Sequence, residues 1–148
     1  MNAKSRDPER TPMQWNAGPY AGFSTVKPWL PLADNYQTRN VEAQQADPQS
    51  MLNLHRRLVY LRQTEDALHY GHYIPVSLRE GVMAYRRASE NACFLVLVNL
   101  SNQDTVFDEP RHHLRGKIIL STHLEDENQV FEEKFAMKAN QGIIVRLD

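Results

Sequence analysis

A ten-residue segment near the N-terminus carries the densest set of side chains that could bind a polar ligand. It reads Arg-Asp-Pro-Glu-Arg-Thr-Pro-Met-Gln-Trp over residues 6–15 and holds two arginines, two carboxylates and a tryptophan. Arginine presents planar, forked donors that suit carboxylates and sugar hydroxyls, and tryptophan presents a flat apolar face. Either the arginines and carboxylates form a network that holds this loop against a larger body, or one arginine points into a polar ligand site.

The remaining polar side chains give weaker signals for chemistry. No pair of the six histidines shows a zinc-ligand spacing, and the single cysteine, Cys93, excludes a disulfide within the chain. The acidic run 125–127 lacks the glycine and the regular carboxylate spacing of a calcium loop. The glycosylation sequon at Asn99 ends a run that we interpret as a buried strand. We therefore interpret these groups as surface or loop residues and Cys93 as a small buried hydrophobe.

The elements that must position these residues change along the chain. Residues 1–46 hold five of the eight prolines and both tryptophans and keep neither apolar period for long. We expect an ordered irregular loop there, with disorder as the alternative. Residues 47–68 predict a helix, with Asp47 as its N-cap, Pro48 at its first position and apolar side chains at helical spacing. Gly71 supplies a stop signal.

From residue 72 onward the pattern changes to short apolar runs separated by polar turns. The run 94–98 is apolar on both faces, which predicts a central strand covered on each side. Six or seven strands at this spacing favour an antiparallel sandwich. The predicted fold class is mainly β: an irregular N-terminal loop and one long α-helix, followed by an antiparallel β-sandwich. The predicted strands are 73–78, 82–87, 94–100, 105–107, 117–122 and 143–147.

Composition and charge argue against several classes of function. Seventeen Lys and Arg against eighteen Asp and Glu give a net charge of −1, without the basic excess of a nucleic-acid-binding protein. No apolar run reaches the roughly 18–20 residues that span a bilayer. Residues 1–10 are polar and unlike a secretory signal. We expect a cytoplasmic protein with neither a nucleic-acid nor a membrane partner.

The segment 6–15 resembles the Arg-Asp-x-x-Arg-Thr-Pro-Met-Gln-Trp signature of α-glucosidases and their relatives in the α-amylase superfamily (glycoside hydrolase family 13). Four later segments resemble the family in the same order: Ala21–Ser24, Pro28–Pro31, Asn40–Gln45 and Asp47–Leu52. The likeness is to the C-terminal part of oligo-1,6-glucosidase-like enzymes, strong over residues 5–65 and weak over 72–148. It implies that residues 1–70 are the last loop and helix of a catalytic (β/α)₈ barrel, and that 71–148 are the antiparallel domain C. A whole barrel, at about 250 residues, would not fit.

The resemblance implies a retaining, exo-acting α-glucosidase that hydrolyses terminal α-glucosidic bonds of short oligosaccharides without a cofactor or a metal. Its catalytic Asp, Glu and Asp residues lie upstream of the signature, so Asp7, Glu9 and Asp34 do not take those roles, and the chain alone is predicted to be inactive. Arg10 matches the family residue that helps hold the non-reducing-end glucose. Arg6 and Asp7 match the neighbours that brace it. The predicted substrate-binding residues are therefore Arg10, Asp7 and Arg6, with no catalytic residue and no metal ligand.

Several alternatives remain open. Trehalose synthases (maltose isomerases) share the Arg-Thr-Pro-Met-Gln-Trp core and the Val-Glu-Ala-Gln-Gln run, although Pro28–Pro31 favours an oligosaccharide α-glucosidase. A non-catalytic β-sandwich used in binding or assembly is a second alternative. A relative that has lost catalysis, as in the heavy subunits of amino-acid transporters, is a third, and the intact Arg10 argues against it.

The expected partner is an α-glucoside oligosaccharide, bound by the parent enzyme. Trp15, Phe23 and Trp29 would normally be covered by the barrel. In this chain we expect them to leave an exposed apolar patch, and therefore self-association or a mobile N-terminal segment.

Overall fold

The computed structural model describes residues 10–79, 81–110 and 113–148. The chain divides into two compact units, Met1–Arg56 and Arg57–Asp148. The predicted boundary near residue 70 stays a prediction. No helix in the described ranges is both long and apolar enough to cross a bilayer.

The described part of the N-terminal unit is an ordered irregular segment, in agreement with the prediction. A 3₁₀ turn covers Pro19–Gly22 and helix α1 covers Val41–Ala46. Backbone hydrogen bonds join distant parts of this segment: Trp15 N–H donates to the Ala21 carbonyl at 2.8 Å, and Val41 N–H donates to the Gln14 carbonyl at 2.9 Å. These bonds replace the sheet and helix ladders that the prolines prevent.

The long helix is shorter than predicted. Helix α2 spans Met51–Thr64, and the four-residue helix α3 follows at Asp66–His69. Asp47 does not cap α2: it is the C-cap of α1, and its carboxylate accepts a hydrogen bond from Gln49 N–H at 2.9 Å. The hydroxyl of Ser50 instead accepts from Asn53 N–H at 3.2 Å, which is the N-cap geometry. The predicted start at residue 47 was therefore wrong.

The end of the helical region agrees better with the sequence. Glu65 has extended backbone angles, φ −108° and ψ 107°, and separates α2 from α3. Gly71 N–H donates to the Asp66 carbonyl at 3.1 Å, closing the last turn before the first strand. The stop predicted at Gly71 is therefore confirmed.

The C-terminal unit is antiparallel β structure, and the predicted fold class is confirmed. A six-stranded sheet has the order β1-β2-β3-β8-β5-β6, and a two-stranded sheet pairs β4 with β7. The strands are β1 His72–Arg79, β2 Val82–Ala88, β3 Cys93–Asn99, β4 Thr105–Asp108, β5 Gly116–Ser121, β6 Val130–Phe131, β7 Lys134–Met137 and β8 Gly142–Leu147. Strands β6 and β7 were not predicted, because they are short and the charged pair Glu132 and Glu133 lies between them.

Strand β3 is covered on both faces, as predicted. Leu95 and Leu97 belong to the main core, which also takes Phe107 and Met137 from the two-stranded sheet. Phe94 points to the other face and packs with Ala67 and Leu68 of α3 in a second cluster. The alternation of side chains along the strand produces these two clusters.

Strand β1 lies at one edge of the six-stranded sheet. Pro75 lies within it, and the pairing register with β2 shifts between Pro75 and Ser77. Proline cannot donate a ladder hydrogen bond, so edge strands and bulges are the positions in a sheet that tolerate it.

Candidate functional site

Arg10 is the first described residue, and it lines an open groove of about 360 Å³ in the N-terminal unit. Phe23, Lys27 and Trp29 line the same groove. The other two predicted substrate-binding residues, Arg6 and Asp7, lie outside the described residues. The proposed grouping of the three residues stays a prediction.

A tight turn immediately precedes Phe23 and Ser24, two residues that line this groove. Gly18 N–H donates to the side-chain oxygen of Asn16 at 2.9 Å. Gly22 has φ +65°, and a Cβ added there would lie 2.5 Å from the side-chain nitrogen of Asn16. Glycine adopts that left-handed backbone without strain and leaves room for the Asn16 side chain. The turn carries the chain directly into Phe23 and Ser24 of the groove.

Two neighbouring residues that line the groove differ sharply in burial. Leu30 is buried, whereas the neighbouring Trp29 is 88% exposed. Met13, Trp15, Phe23 and Val26 are also exposed large hydrophobics. The exposure predicted for Trp15, Phe23 and Trp29 is confirmed, while self-association stays a prediction.

The groove offers two cations and an aromatic face for binding. Arg10 brings several N–H donors in a fixed plane, and Lys27 brings a mobile ammonium. The described lining residues include no carboxylate, and Asp34 is exposed and does not line the groove. A retaining glycosidase needs two carboxylates about 5–5.5 Å apart. The described groove can therefore hold a polar ligand but cannot by itself perform hydrolysis.

The polar groups that we interpreted as structural are occupied by protein contacts. Asn99 is 1% exposed, and its side-chain amide donates to the carbonyls of Gln103 and Lys138, each at 2.8 Å. Cys93 is a free thiol that is half-buried rather than buried, and desolvation raises its pKa. Over the described ranges, no group of three or more His, Cys, Asp or Glu side chains is arranged to hold a metal ion.

The acidic run 125–127 is held by three separate partners. Glu125 accepts from Lys138 Nζ at 2.7 Å, and this hydrogen bond lowers the pKa of the Glu125 carboxyl. Asp126 accepts from the Gln141 amide. Both carboxylate oxygens of Glu127 accept from Arg57 Nη2, Oε1 at 2.8 Å and Oε2 at 2.7 Å. These contacts give the run a structural role.

Known proteins resemble this chain in both sequence and structure. The alpha-amylase family, described as "Alpha amylase, catalytic domain", matches residues 1–71. The "Probable oligo-1,6-glucosidase 3" of Bacillus subtilis (strain 168) is 38% identical over 125 residues, 84% of this chain and 23% of that protein. The trehalose-6-phosphate hydrolase of Escherichia coli (strain K12) is 43% identical over 104 residues, 70% of this chain and 19% of that protein.

Solved structures give the same result over almost the whole chain. The isomaltulose synthase from Klebsiella sp. LX3 superimposes with a TM-score of 0.88 at 29% identity, covering 97% of this chain and 26% of that one. The trehalulose synthase MutB from Pseudomonas mesoacidophila MX-45 gives a TM-score of 0.87 at 28% identity, with the same coverage of 97% and 26%. The chain spans about a quarter of the length of these relatives.

The fold and these similarities place the chain in the α-amylase superfamily. The chain belongs to glycoside hydrolase family 13 and corresponds to the C-terminal part of its oligo-1,6-glucosidase-like enzymes.

Proposed function

We propose that this chain is the C-terminal part of a retaining, exo-acting α-glucosidase that removes terminal glucose from short oligosaccharides in the cytoplasm. The observation that carries the proposal is the signature around Arg10, which lies within the segment that matches the catalytic domain. Two relatives described as oligo-1,6-glucosidases support this substrate class, at 38% and 34% identity. In this proposal residues 1–70 complete the barrel and 71–148 form domain C.

Arg10 contributes binding rather than bond cleavage. Its guanidinium donates to hydroxyls of the non-reducing-end glucose, with Arg6 and Asp7 bracing it. A charged donor to a buried hydroxyl contributes about 1.5–3 kcal/mol, enough to favour a terminal sugar over one within a chain. The nucleophile and the acid/base carboxylate come from other parts of the parent enzyme, so the isolated chain has no hydrolase activity.

A chimaeric enzyme tests the role of Arg10. Residues 6–65 replace the matching segment of the Bacillus subtilis probable oligo-1,6-glucosidase 3, and hydrolysis of isomaltose is measured. We expect Arg10→Ala to lower kcat/KM about 10- to 100-fold. Arg39→Ala is the control, since Arg39 is exposed and does not line the groove, and it should change kcat/KM less than about twofold. Equal activities of both variants would contradict the proposal.

Two further measurements test the proposal as a whole. The purified chain should release no product from an aryl α-glucoside above the blank, and measurable turnover would contradict its inactivity. The reading frame upstream of the Met1 codon should continue into barrel strands that carry two Asp and one Glu. A stop codon there would leave the β unit as a binding or assembly module.

An isomerising enzyme is the second candidate. The superposition on isomaltulose and trehalulose synthases supports it, with TM-scores of 0.88 and 0.87, and so does the sequence shared with trehalose synthases. Product analysis of the full-length enzyme on maltose and sucrose separates the two candidates. A hydrolase releases free monosaccharide, whereas an isomerase returns a new disaccharide.

A further inference from the structure

A second groove lies entirely within the C-terminal unit, and neither the proposed function nor the family signature uses it. It is open, has a volume of about 680 Å³, and falls within the usual size range of small-molecule sites, about 300–1,000 Å³. The polar side chains that line it come from α3 and its C-terminal end, from the start of β1 and from the β2–β3 turn. They are Asp66, Tyr70, His72, Ser89 and Glu90.

Gly71 brings these segments together. A Cβ added at Gly71 would lie 2.2 Å from the Ala67 carbonyl oxygen and 2.7 Å from the Ala88 carbonyl oxygen. Both are backbone atoms, so no side-chain movement could relieve the overlap. The glycine therefore allows the end of α3 to approach the end of β2, and this close approach places the groove residues on one surface.

Three of the polar side chains in this groove are free to bind a ligand, whereas the Ser89 hydroxyl donates to the Ala92 carbonyl at 3.5 Å. Among the described residues, no hydrogen bond or ion pair involves the side chain of Asp66, His72 or Glu90. Tyr70 is 78% exposed, and its ring stacks on His69 with centroids 3.9 Å apart. The stacking fixes the orientation of a flat apolar surface beside two unpaired carboxylates.

We propose that this groove binds a short neutral oligosaccharide, and the choice of α-linked glucose as its unit rests on the proposed function. A tyrosine ring offers an apolar face to the C–H side of a pyranose, and ionised carboxylates accept strong hydrogen bonds from its hydroxyls. Among the described residues, no lysine or arginine lines the groove, and its two carboxylates disfavour phosphorylated sugars. The Arg10 groove has the opposite charge, which makes the two sites chemically distinguishable.

Nuclear magnetic resonance of the isotopically labelled chain, titrated with isomaltose, tests this proposal. We expect shifts of the backbone amides of Tyr70, Gly71, His72, Ser89 and Glu90, with a dissociation constant in the millimolar range, about 1–10 mM. Tyr70→Ala should weaken binding about tenfold or more, and the double variant Asp66→Asn, Glu90→Gln should weaken it to a similar extent.

A matched control is available on the same edge strand. Tyr73 is also exposed, but it packs on Tyr85 with ring centroids 5.0 Å apart and does not line the groove. Tyr73→Ala should therefore change the affinity less than about twofold. Preserved amide dispersion in each variant's spectrum shows that the fold is intact.

Three outcomes would overturn the proposal. The first is an absence of shifts up to about 50 mM isomaltose. The second is binding of free arginine without binding of isomaltose, which would make the groove a cation site. The third is a response confined to residues 10–30, which would support the Arg10 groove and leave the proposed function standing while removing this second site.

Discussion

The two units of the chain differ in the interactions that stabilise each of them internally. The described part of the N-terminal unit buries only Ala21 and Leu30 among its hydrophobic residues and depends on backbone and amide hydrogen bonds. The described part of the C-terminal unit packs twelve buried residues into one core between its two sheets. Trp29, one of the largest side chains in the molecule, lies exposed in the N-terminal unit.

This difference predicts unequal stability. Burial of apolar surface is the dominant favourable term in folding, at about 25 cal/mol per Å², while a hydrogen bond contributes only about 1 kcal/mol net. The C-terminal unit has its own core, whereas the described part of the N-terminal unit leaves large apolar side chains exposed. We therefore expect the C-terminal unit to be the more stable, and the following experiments test that comparison.

The largest effect is expected from Phe131→Ala. Phe131 is fully buried, and its ring centroid lies 6.2 Å from that of Phe107 and 5.6 Å from that of Phe135. Removing it should lower the free energy of unfolding of the C-terminal unit by about 3–5 kcal/mol, measured by urea denaturation. The neighbouring Val130→Ala, at an exposed position, should cost less than about 0.5 kcal/mol. Similar losses in both variants would contradict the position of the core.

Leu30→Ala should act on the N-terminal unit alone. Leu30 is the largest buried hydrophobic side chain described there, and its truncation should cost about 2–3 kcal/mol in local stability. Hydrogen exchange should show faster opening of residues 14–42 without a change in the amides of β3. Equal acceleration in both units would show that they unfold together.

Trp29→Ser is the matched control for Leu30→Ala. Because Trp29 is already exposed, its replacement should change hydrogen exchange by less than about 0.5 kcal/mol. The same variant should reduce the self-association that we predict from the exposed apolar side chains. Sedimentation velocity over a range of concentrations measures this, and a wild-type chain that is monomeric throughout would contradict it.

Glu127→Gln should have an intermediate effect. The Glu127 carboxylate is largely buried, pairs with Arg57 and also accepts from Ser121 N–H at 3.1 Å. The amide retains one acceptor and loses the charge, so we expect a loss of about 1–2 kcal/mol in urea denaturation. Asp108→Asn, in a strand of the same unit, offers a comparison that removes a charge without breaking this pair. A cost no greater than that of Asp108→Asn would contradict the structural role of Glu127.

The smallest effect is expected from the exposed pair of Glu125 and Lys138. Their hydrogen bond lowers the pKa of Glu125 and raises the pKa of Lys138. The stabilisation from Glu125 is present above the unfolded-state pKa and is lost as the pH falls through the folded-state pKa. That from Lys138 is present below its unfolded-state pKa and is lost as the pH rises through the folded-state pKa.

Glu125→Gln should therefore reduce stability slightly at neutral pH and not at strongly acid pH. The measurement is urea denaturation of both proteins across the acid range, where the two stability curves should converge. A difference that stays constant as the carboxylates become protonated would show that the pair contributes nothing.

Much of the fold followed from local pattern. Strands β1–β5 and β8 lie within one or two residues of the predicted positions, because alternating apolar residues and polar turns mark them. The start of α2 could not be predicted in this way, because Asp47-Pro48 and Ser50 both carry cap signals. Which of them caps the helix depends on contacts with Gln44. The Ser50 hydroxyl donates to the Gln44 carbonyl at 2.6 Å, a contact that helical spacing does not encode.

The two grooves differ in how far the sequence predicts them. Arg10 could be singled out because a contiguous signature surrounds it. Asp66, Tyr70 and Glu90 gave no signal, because β-strand pairing brings residues near 70 and near 90 together. His72 pairs with Ala88 across the two strands, and this register sets which residues become neighbours. A local sequence motif does not reveal such a register.

The proline in β1 affects how this chain could associate. A regular edge strand is a template on which another chain can add strand after strand, and that growth has no natural limit. Pro75 removes one donor from the template, and the adjacent register shift bends the row that remains. Fibre-like growth from this edge is therefore disfavoured.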